Sequence, residues 1–372
     1  MHEEIVKEML PYFCEHYGNP SSIHKIGRVA HNAIHNARKK IASLINAEPE
    51  EILLTSGGTE SNNAALYGIA YSKKGNHIIT SSIEHEAILE PCKQLEKEGF
   101  KITYLSVDNQ GLVNPDDVKK NISYDTCLVS IMFANNEVGT IQPIEKISKI
   151  CRQKQVAFHS DAVQAIGKTL IDVKKLNTDL LSISGHKIYG PKGIGALFIR
   201  QGVKIAPLFY GGSHEKKRRP GTENVAGAVG LAQALEIASQ RMEQDHKKLS
   251  ELADYFIDKV DSAITDVAFN GSREKRIPQT VNLSFIGIEG ESILLSLDLE
   301  GIACSSGSAC TSGSTEPSHV MTAMGKPKIE AQGAIRFSLG RSTTLEQLDY
   351  VVEKLIPIIE RLRSLSPVYE KG

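Results

Sequence analysis

At 372 residues the chain is too long for one small core and suits a large domain accompanied by a smaller one. Lys and Arg total 43 against 44 Asp and Glu, which leaves no global field for nucleic acid or an anionic membrane. Six cysteines without a Cys-x-x-Cys pair give no disulfide framework or metal-ligand set, and with no signal peptide or bilayer-length apolar run the expected compartment is a reducing cytoplasm.

In chain order, residues 25 to 47 read as a helix with Ile34, Ala37, Ile41, Leu44 and Ile45 on one apolar face. Short apolar runs then alternate with helical stretches: Ile52–Leu54 before Asn62–Tyr71, and His77–Thr80 before Ala87–Lys97. Cys127–Phe133, Val156–His159, Leu180–Ile183 and Ala196–Ile199 continue the series, which predicts an α/β fold with a largely parallel sheet between helices. Val225 to Val260 reads as one long helix leading to a smaller α+β unit. In that unit Gln279–Phe285 and Ala334–Leu339 are expected as strands, and Ile293–Leu299 and Leu345–Leu362 as helices. Pro357 is expected to kink or interrupt the last helix. The domain boundary is expected near 235–250, giving 14–240 as the large domain and 1–13 with 241–372 as the small one.

Polar residues collect just after the strands, where open α/β sheets bind ligands. Thr55-Ser56-Gly57-Gly58-Thr59-Glu60 opens a helix, and its glycines and free N–H groups suit a phosphate, although such turns are often mere punctuation. Glu84-His85-Glu86, Asn135-Asn136-Glu137-Val138-Gly139-Thr140 and Asp161-Ala162-Val163-Gln164 follow later strands. Ser184-Gly185-His186-Lys187 places a lysine just past a strand, where it can hold an aldehyde cofactor as a Schiff base. Each alone has a bland reading, as a cap or a satisfied loop residue. Five at one end of one sheet point to a cofactor site. Pyridoxal phosphate asks for a lysine, a donor-rich helix end, a carboxylate for its ring nitrogen and a flat partner for its ring. Lys187, Gly58 with Thr59, Asp161 and His85 supply those types. Lys216-Lys217-Arg218-Arg219 reads either as a solvated loop or, with Pro220-Gly221-Thr222 behind it, as a turn built near a phosphate.

Taken together, Thr-Ser-Gly-Gly-Thr-Glu-Ser-Asn, Asp-Ala-Val-Gln-Ala-Ile-Gly-Lys, Ser-Gly-His-Lys-Ile-Tyr-Gly-Pro-Lys-Gly-Ile-Gly, Ser-Gly-Ser-Ala-Cys-Thr-Ser and Ile-Arg-Phe-Ser-Leu-Gly-Arg resemble the cysteine desulfurases of the NifS/IscS type over nearly the whole chain. The resemblance implies the class V aminotransferase superfamily, PLP-dependent transferase fold type I with a seven-stranded-type sheet, and a homodimer with its site at the subunit interface. It implies Lys187 as the Schiff-base lysine, His85 stacked on the ring and moving protons, Asp161 on the ring nitrogen and Gln164 on the ring hydroxyl. Gly58, Thr59, Ser184 and His186 would hold the phosphate, with Thr222 reaching in from the partner subunit. Asn136, beside the cofactor, and Arg336 would orient the substrate carboxylate. Cys310 would be the nucleophile, taking sulfur from L-cysteine as a persulfide while L-alanine leaves. The Gly- and Ser-rich stretch around it is expected to be poorly ordered from about 309 to 322. The remaining cysteines, Cys14, Cys92, Cys127, Cys151 and Cys304, read as small structural residues.

The family usually opens on an Asp-Asn-Ala-Thr-Thr segment, whereas this chain begins Met1-His2-Glu3-Glu4-Ile5 and matches from just after it. It ends at Pro367–Gly372 without the longer tail of general scaffold-loading members, so an iron–sulfur scaffold, a tRNA-thiolation protein or a cofactor pathway all fit as sulfur acceptor. Two alternatives stand beside the desulfurase: a class V aminotransferase or selenocysteine lyase, and a weakly active dimeric partner of a sulfur-transfer protein.

Overall fold

A computed structural model of the chain describes residues 1–72, 75–306 and 317–369. The chain divides into two units, the first comprising Met1–Leu105, Pro115–Phe133 and Pro143–Met242. The second takes Ser106–Asn114, Ala134–Gln142 and the chain from Glu243 onward. The division departs from the expected one at two places. Residues 1–13 fall in the first unit, where Ile5 and Met9 are buried and the His2 N–H donates to the Tyr189 carbonyl. Two excursions from the sheet, 106–114 and 134–142, belong to the second.

The first unit is built on seven strands: β1 (Ile52–Thr55), β2 (His77–Ser81), β3 (Lys101–Leu105), β4 (Thr126–Ser130), β5 (Ala157–Asp161), β6 (Leu180–Ser184) and β7 (Gly195–Ile199). Their order is β1-β7-β6-β5-β4-β2-β3, parallel from β6 to β3, with β7 antiparallel to both neighbours. All but β3 are buried on both faces, which is why they read as short continuous apolar runs. The expected strand series omits β3. It is an edge strand whose Lys101 and Tyr104 face solvent, so it carries neither an apolar run nor clean alternation. The helices Gly58–Ala70 and Glu86–Lys97 pack Leu66, Ile69, Ile88 and Leu95 against Leu53, Ile78, Leu128 and Leu197 of the sheet. Burying each such side chain contributes about 1.5–3 kcal/mol, enough to override the poor helix propensity of the Gly-Thr-rich helix start.

The second unit holds an antiparallel sheet in the order β10-β11-β9-β8, with β8 (Val267–Phe269), β9 (Thr280–Phe285), β10 (Ser305–Ser306) and β11 (Ala334–Ser338). Its core gathers Phe256, Leu283, Phe285, Ile335 and Phe337 with Leu348, Val352 and Leu355 of the helix Leu345–Leu365. That helix runs through Pro357 rather than stopping there. Pro357 and Glu353, whose carbonyl loses its donor, are both exposed, so water replaces the missing bond. The helix Val225–Ala263 is continuous over 39 residues. Among the described residues no helix is long and apolar enough to cross a membrane.

Candidate active site

β1 runs antiparallel to β7, and β7 to β6, so β1 points the same way as β2, β4, β5 and β6. The carboxyl ends of these strands therefore share one edge of the sheet, and the expected cofactor residues of the first unit other than Thr222 lie at or follow these ends. β1 delivers Gly57 (φ 156°), from which the helix Gly58–Ala70 starts with Thr59 exposed in its first turn. The room there is tight: a Cβ on Gly58 would lie 2.7 Å from Val163 Cγ2. β6 delivers Ser184, whose Oγ sits 2.9 Å from His186 Nδ1, and then the exposed Lys187 in the short helical turn Gly185–Ile188. Thr59 and His85 line one groove of about 410 Å³ together with Asn63, Tyr67, Glu86 and Pro91.

Asp161 ends β5 in a buried position, its Oδ2 accepting from the Asn62 amide at 2.6 Å and its Oδ1 from the Val163 N–H at 2.9 Å. Burial pushes this carboxyl up, while those two donors and the charges of His85 and Lys187 work the other way. The His85 ring caps the helix Glu86–Lys97, with Nδ1 accepting the Ala87 N–H at 3.0 Å. Burial lowers the His186 pKa, helped by the positive charges of Lys187, Lys192 and Lys168, so this ring is neutral near pH 7. Gln164 accepts from Lys168 Nζ at 3.2 Å. Thr222 is exposed.

In the second unit, Arg336 on β11 donates through Nη1 to the Asn136 carbonyl at 2.9 Å, and its buried Nε has no partner among the described residues. The Asn136 turn is held by the Asn135 side chain, whose Oδ1 accepts the N–H groups of Glu137 and Val138 at 2.8 and 3.0 Å. Ser305 on β10 lies opposite Arg336, and Ser318 donates to Glu137 Oε2 at 2.5 Å. These two anchors bracket Cys310, which itself lies outside the described residues. The expectation of poor order covers residues 309–316, which also lie outside, and 317–322, which do not. Ser318 caps the helix His319–Ala323 through the Val320 N–H, and Val320 and Met321 are fully buried, so that part is ordered.

Of the other cysteines, Cys92 and Cys151 are buried and pushed up to about 12 by that burial, and the half-buried Cys304 to about 11, which keeps them as thiols. Cys127 is also buried, but Cys14 is exposed and so is not the packed residue expected. Sequence reasoning also gave no role to three interior groups. Asn62 lies one helical turn beyond Gly58, a spacing that could have suggested it. Glu84 is held by Ser81 Oγ and the Met132 N–H, and burial pushes its carboxyl up to about 8. His159 lies between Ser130 Oγ (2.8 Å) and Ser182 Oγ (2.9 Å), bridging β4, β5 and β6, and burial lowers it to about 3.

Residues 1–351 match the family described as Aminotransferase class-V. The chain is 54% identical over 369 residues to cysteine desulfurase IscS of Dictyoglomus turgidum, covering 99% of this chain and 94% of that one. To cysteine desulfurase IscS of Methanosarcina thermophila it is 53% identical over 371 residues, covering 99% and 92%. A solved structure described as a NifS-like protein superposes with a TM-score of 0.91 at 39% identity, over 97% of each chain. The chain belongs to the class V aminotransferase family and has its α/β fold, PLP fold type I. Within that class its place is among the cysteine desulfurases of the NifS/IscS type.

Proposed function

We propose that this chain is a PLP-dependent cysteine desulfurase that converts L-cysteine to L-alanine and passes the sulfur on through Cys310. The observation that carries the reading is the buried Asp161 carboxylate, held by Asn62 and Val163 and sharing its field with His85 and Lys187. A buried carboxyl held by two donors fits a partner for a protonated ring nitrogen. The start of the helix Gly58–Ala70, with Thr59, Ser184 and a neutral His186 as donors, fits a phosphate. When bound, pyridoxal phosphate supplies an aldehyde for amine substrates and a ring that withdraws electrons from the substrate carbon.

The chain's own groups then have separate tasks. Lys187 would hold the aldehyde, and its Nζ would take the substrate α-proton. Because Nδ1 of His85 is occupied by the Ala87 N–H, Nε2 is the ring atom that carries and exchanges its proton. Gln164 serves the ring hydroxyl. Arg336, whose Nε has no partner among the described residues, binds the substrate carboxylate beside Asn136. Cys310 as thiolate would take the substrate sulfur as a persulfide, the carbon–sulfur bond breaking and leaving its electron pair on the carbon skeleton that departs as L-alanine. It would keep the sulfur until an acceptor protein, such as an iron–sulfur scaffold or a tRNA-thiolation protein, removes it. The working form is a cytoplasmic homodimer in which each Thr222 completes the phosphate site of the other subunit.

The test is alanine release from L-cysteine, with PLP and a thiol reductant supplied. Alanine is expected in step with sulfide, and Cys310→Ser is expected to stop its release while the cofactor still changes colour with cysteine. Alanine released by Cys310→Ser at the wild-type rate would remove Cys310 from the mechanism, and amino transfer dependent on a keto acid would replace the desulfurase by an aminotransferase.

A further inference from the structure

The basic stretch that follows Ser213 is tied at one end to β1 and at the other to the turn between β1 and the helix Gly58–Ala70. Glu215 is paired with Arg38, Oε1 to Nη2 at 2.6 Å and Oε2 to Nη1 at 2.9 Å, and its side chain is 4% exposed. The same Oε2 accepts the Leu54 N–H at 3.4 Å, and Arg38 donates to the Ile52 carbonyl. β1 is an edge strand, so this ion pair occupies backbone groups that have no neighbouring strand. Four residues on, Arg219 Nε donates to Glu60 Oε1 at 3.0 Å, and Glu60 Oε2 accepts the Ser56 N–H at 2.8 Å. Burial opposes the charge on Glu60, but Arg219 and Ser56 more than offset it and hold the carboxyl below its usual range. Between the anchors, Glu215, Lys216 and Lys217 all lie in the left-handed region, with φ of 47°, 57° and 64°. Three such non-glycine residues in a row persist only where their surroundings hold them.

We propose that residues 215–219 are a strap that sets the geometry of the Thr55–Glu60 turn, with Glu215 and Arg219 as positioning residues for the cofactor phosphate acting through Leu54 and Glu60. The proposal rests on the reading that this turn holds that phosphate. It differs from a simple charge effect in sign. Removing a negative charge near a phosphate should tighten binding if charge alone mattered, whereas loosening the strap should weaken it.

The experiment uses the full chain, stripped of cofactor and titrated with PLP and, separately, with pyridoxal, which lacks the phosphate; cofactor absorbance gives each affinity. Glu60→Gln and Glu215→Gln are each expected to weaken PLP about tenfold, the scale of one charge-assisted contact, and to leave pyridoxal within about twofold of wild type. PLP affinity unchanged or increased in Glu60→Gln overturns the proposal, as does an equal loss for PLP and pyridoxal, which would mark general damage to the fold. Glu215 is buried, so if Glu215→Gln does not fold, Glu60→Gln decides alone, since Gln keeps an acceptor for the Ser56 N–H. A wild-type chain that binds PLP no better than pyridoxal would instead overturn the phosphate assignment on which the strap depends.

Discussion

Glu84 and His159 are fully buried ionisable groups whose proton affinities move in opposite senses, so they give stability opposite dependences on pH. His159 titrates at 6.5 when unfolded and is lowered to about 3 when folded. Its contribution is complete above pH 6.5 and is lost as pH falls towards 3. Glu84 is raised from 4.5 to about 8, so its contribution is complete below pH 4.5 and is lost as pH rises through 8. Between pH 6.5 and 8.5 only Glu84 still has a slope, and a shift of this size corresponds to a few kcal/mol. Gln at this position keeps the acceptor for Ser81 Oγ and the Met132 N–H but cannot ionise. Glu84→Gln is therefore expected to lose less Tm than wild type between pH 6.5 and 8.5, read by parallel thermal melts. Equal losses would show that Glu84 ionises without penalty in the folded chain.

At the scale of elements, two of the three glycines in the motif Gly190-Pro191-Lys192-Gly193-Ile194-Gly195, Gly193 and Gly195, are needed for different reasons. Gly193 has φ 76° with open space around it, so a side chain there meets only backbone strain. Gly195 begins β7, and a Cβ on it would lie 2.5 Å from the Ile183 carbonyl oxygen and 2.7 Å from Gly57 Cα, both backbone atoms that cannot swing aside. Gly193→Ala is expected to cost about 1 kcal/mol. Gly195→Ala should cost about 1–3 kcal/mol and also lower PLP affinity, because the displaced strand carries Gly57 with it. Urea unfolding with a PLP titration separates the two, and equal effects would mean that the β1–β7 contact yields freely. The glycines were visible in the sequence, but the reason for each was not. The same distinction holds across the site. That His85, Asp161, Ser184 and Lys187 lie at or just beyond strand ends was legible, because strand ends announce themselves by apolar runs stopping at polar turns. The partnership of Asp161 with Asn62, 99 residues away, was not legible, because only the folded sheet brings them together. β3 escaped because its Lys101 and Tyr104 face solvent, and the order at Ser318–Thr322 escaped because Gly and Ser composition hides a cap and a partner such as Glu137.

For the whole molecule, the path of the chain matters as much as its core. The second unit depends on excursions made before the long helix begins. The Ile141 N–H donates to the Lys275 carbonyl, the Ile277 N–H donates to the Gly139 carbonyl, and the fully buried Asn282 donates to the Glu137 carbonyl at 3.2 Å. Arg336 and Ser318 likewise find acceptors on Asn136 and Glu137. A fragment starting at Glu243 would keep the apolar core of Phe256, Phe285 and Phe337 but lose every one of these hydrogen-bond partners. Each buried polar group left without a partner costs about 1–3 kcal/mol, and a domain's whole margin is only about 5–15 kcal/mol. Residues 243–372 expressed alone are therefore expected to lack a cooperative thermal transition by circular dichroism and to be degraded quickly by protease at 25 °C. A cooperative transition would mean instead that the apolar core suffices, and that 106–114 and 134–142 serve to present Asn136 rather than to hold the unit together. The distinction bears on chemistry, because in the first case the Arg336–Asn136 contact is part of what keeps the unit folded. Substituting Arg336 would then lower stability as well as substrate binding.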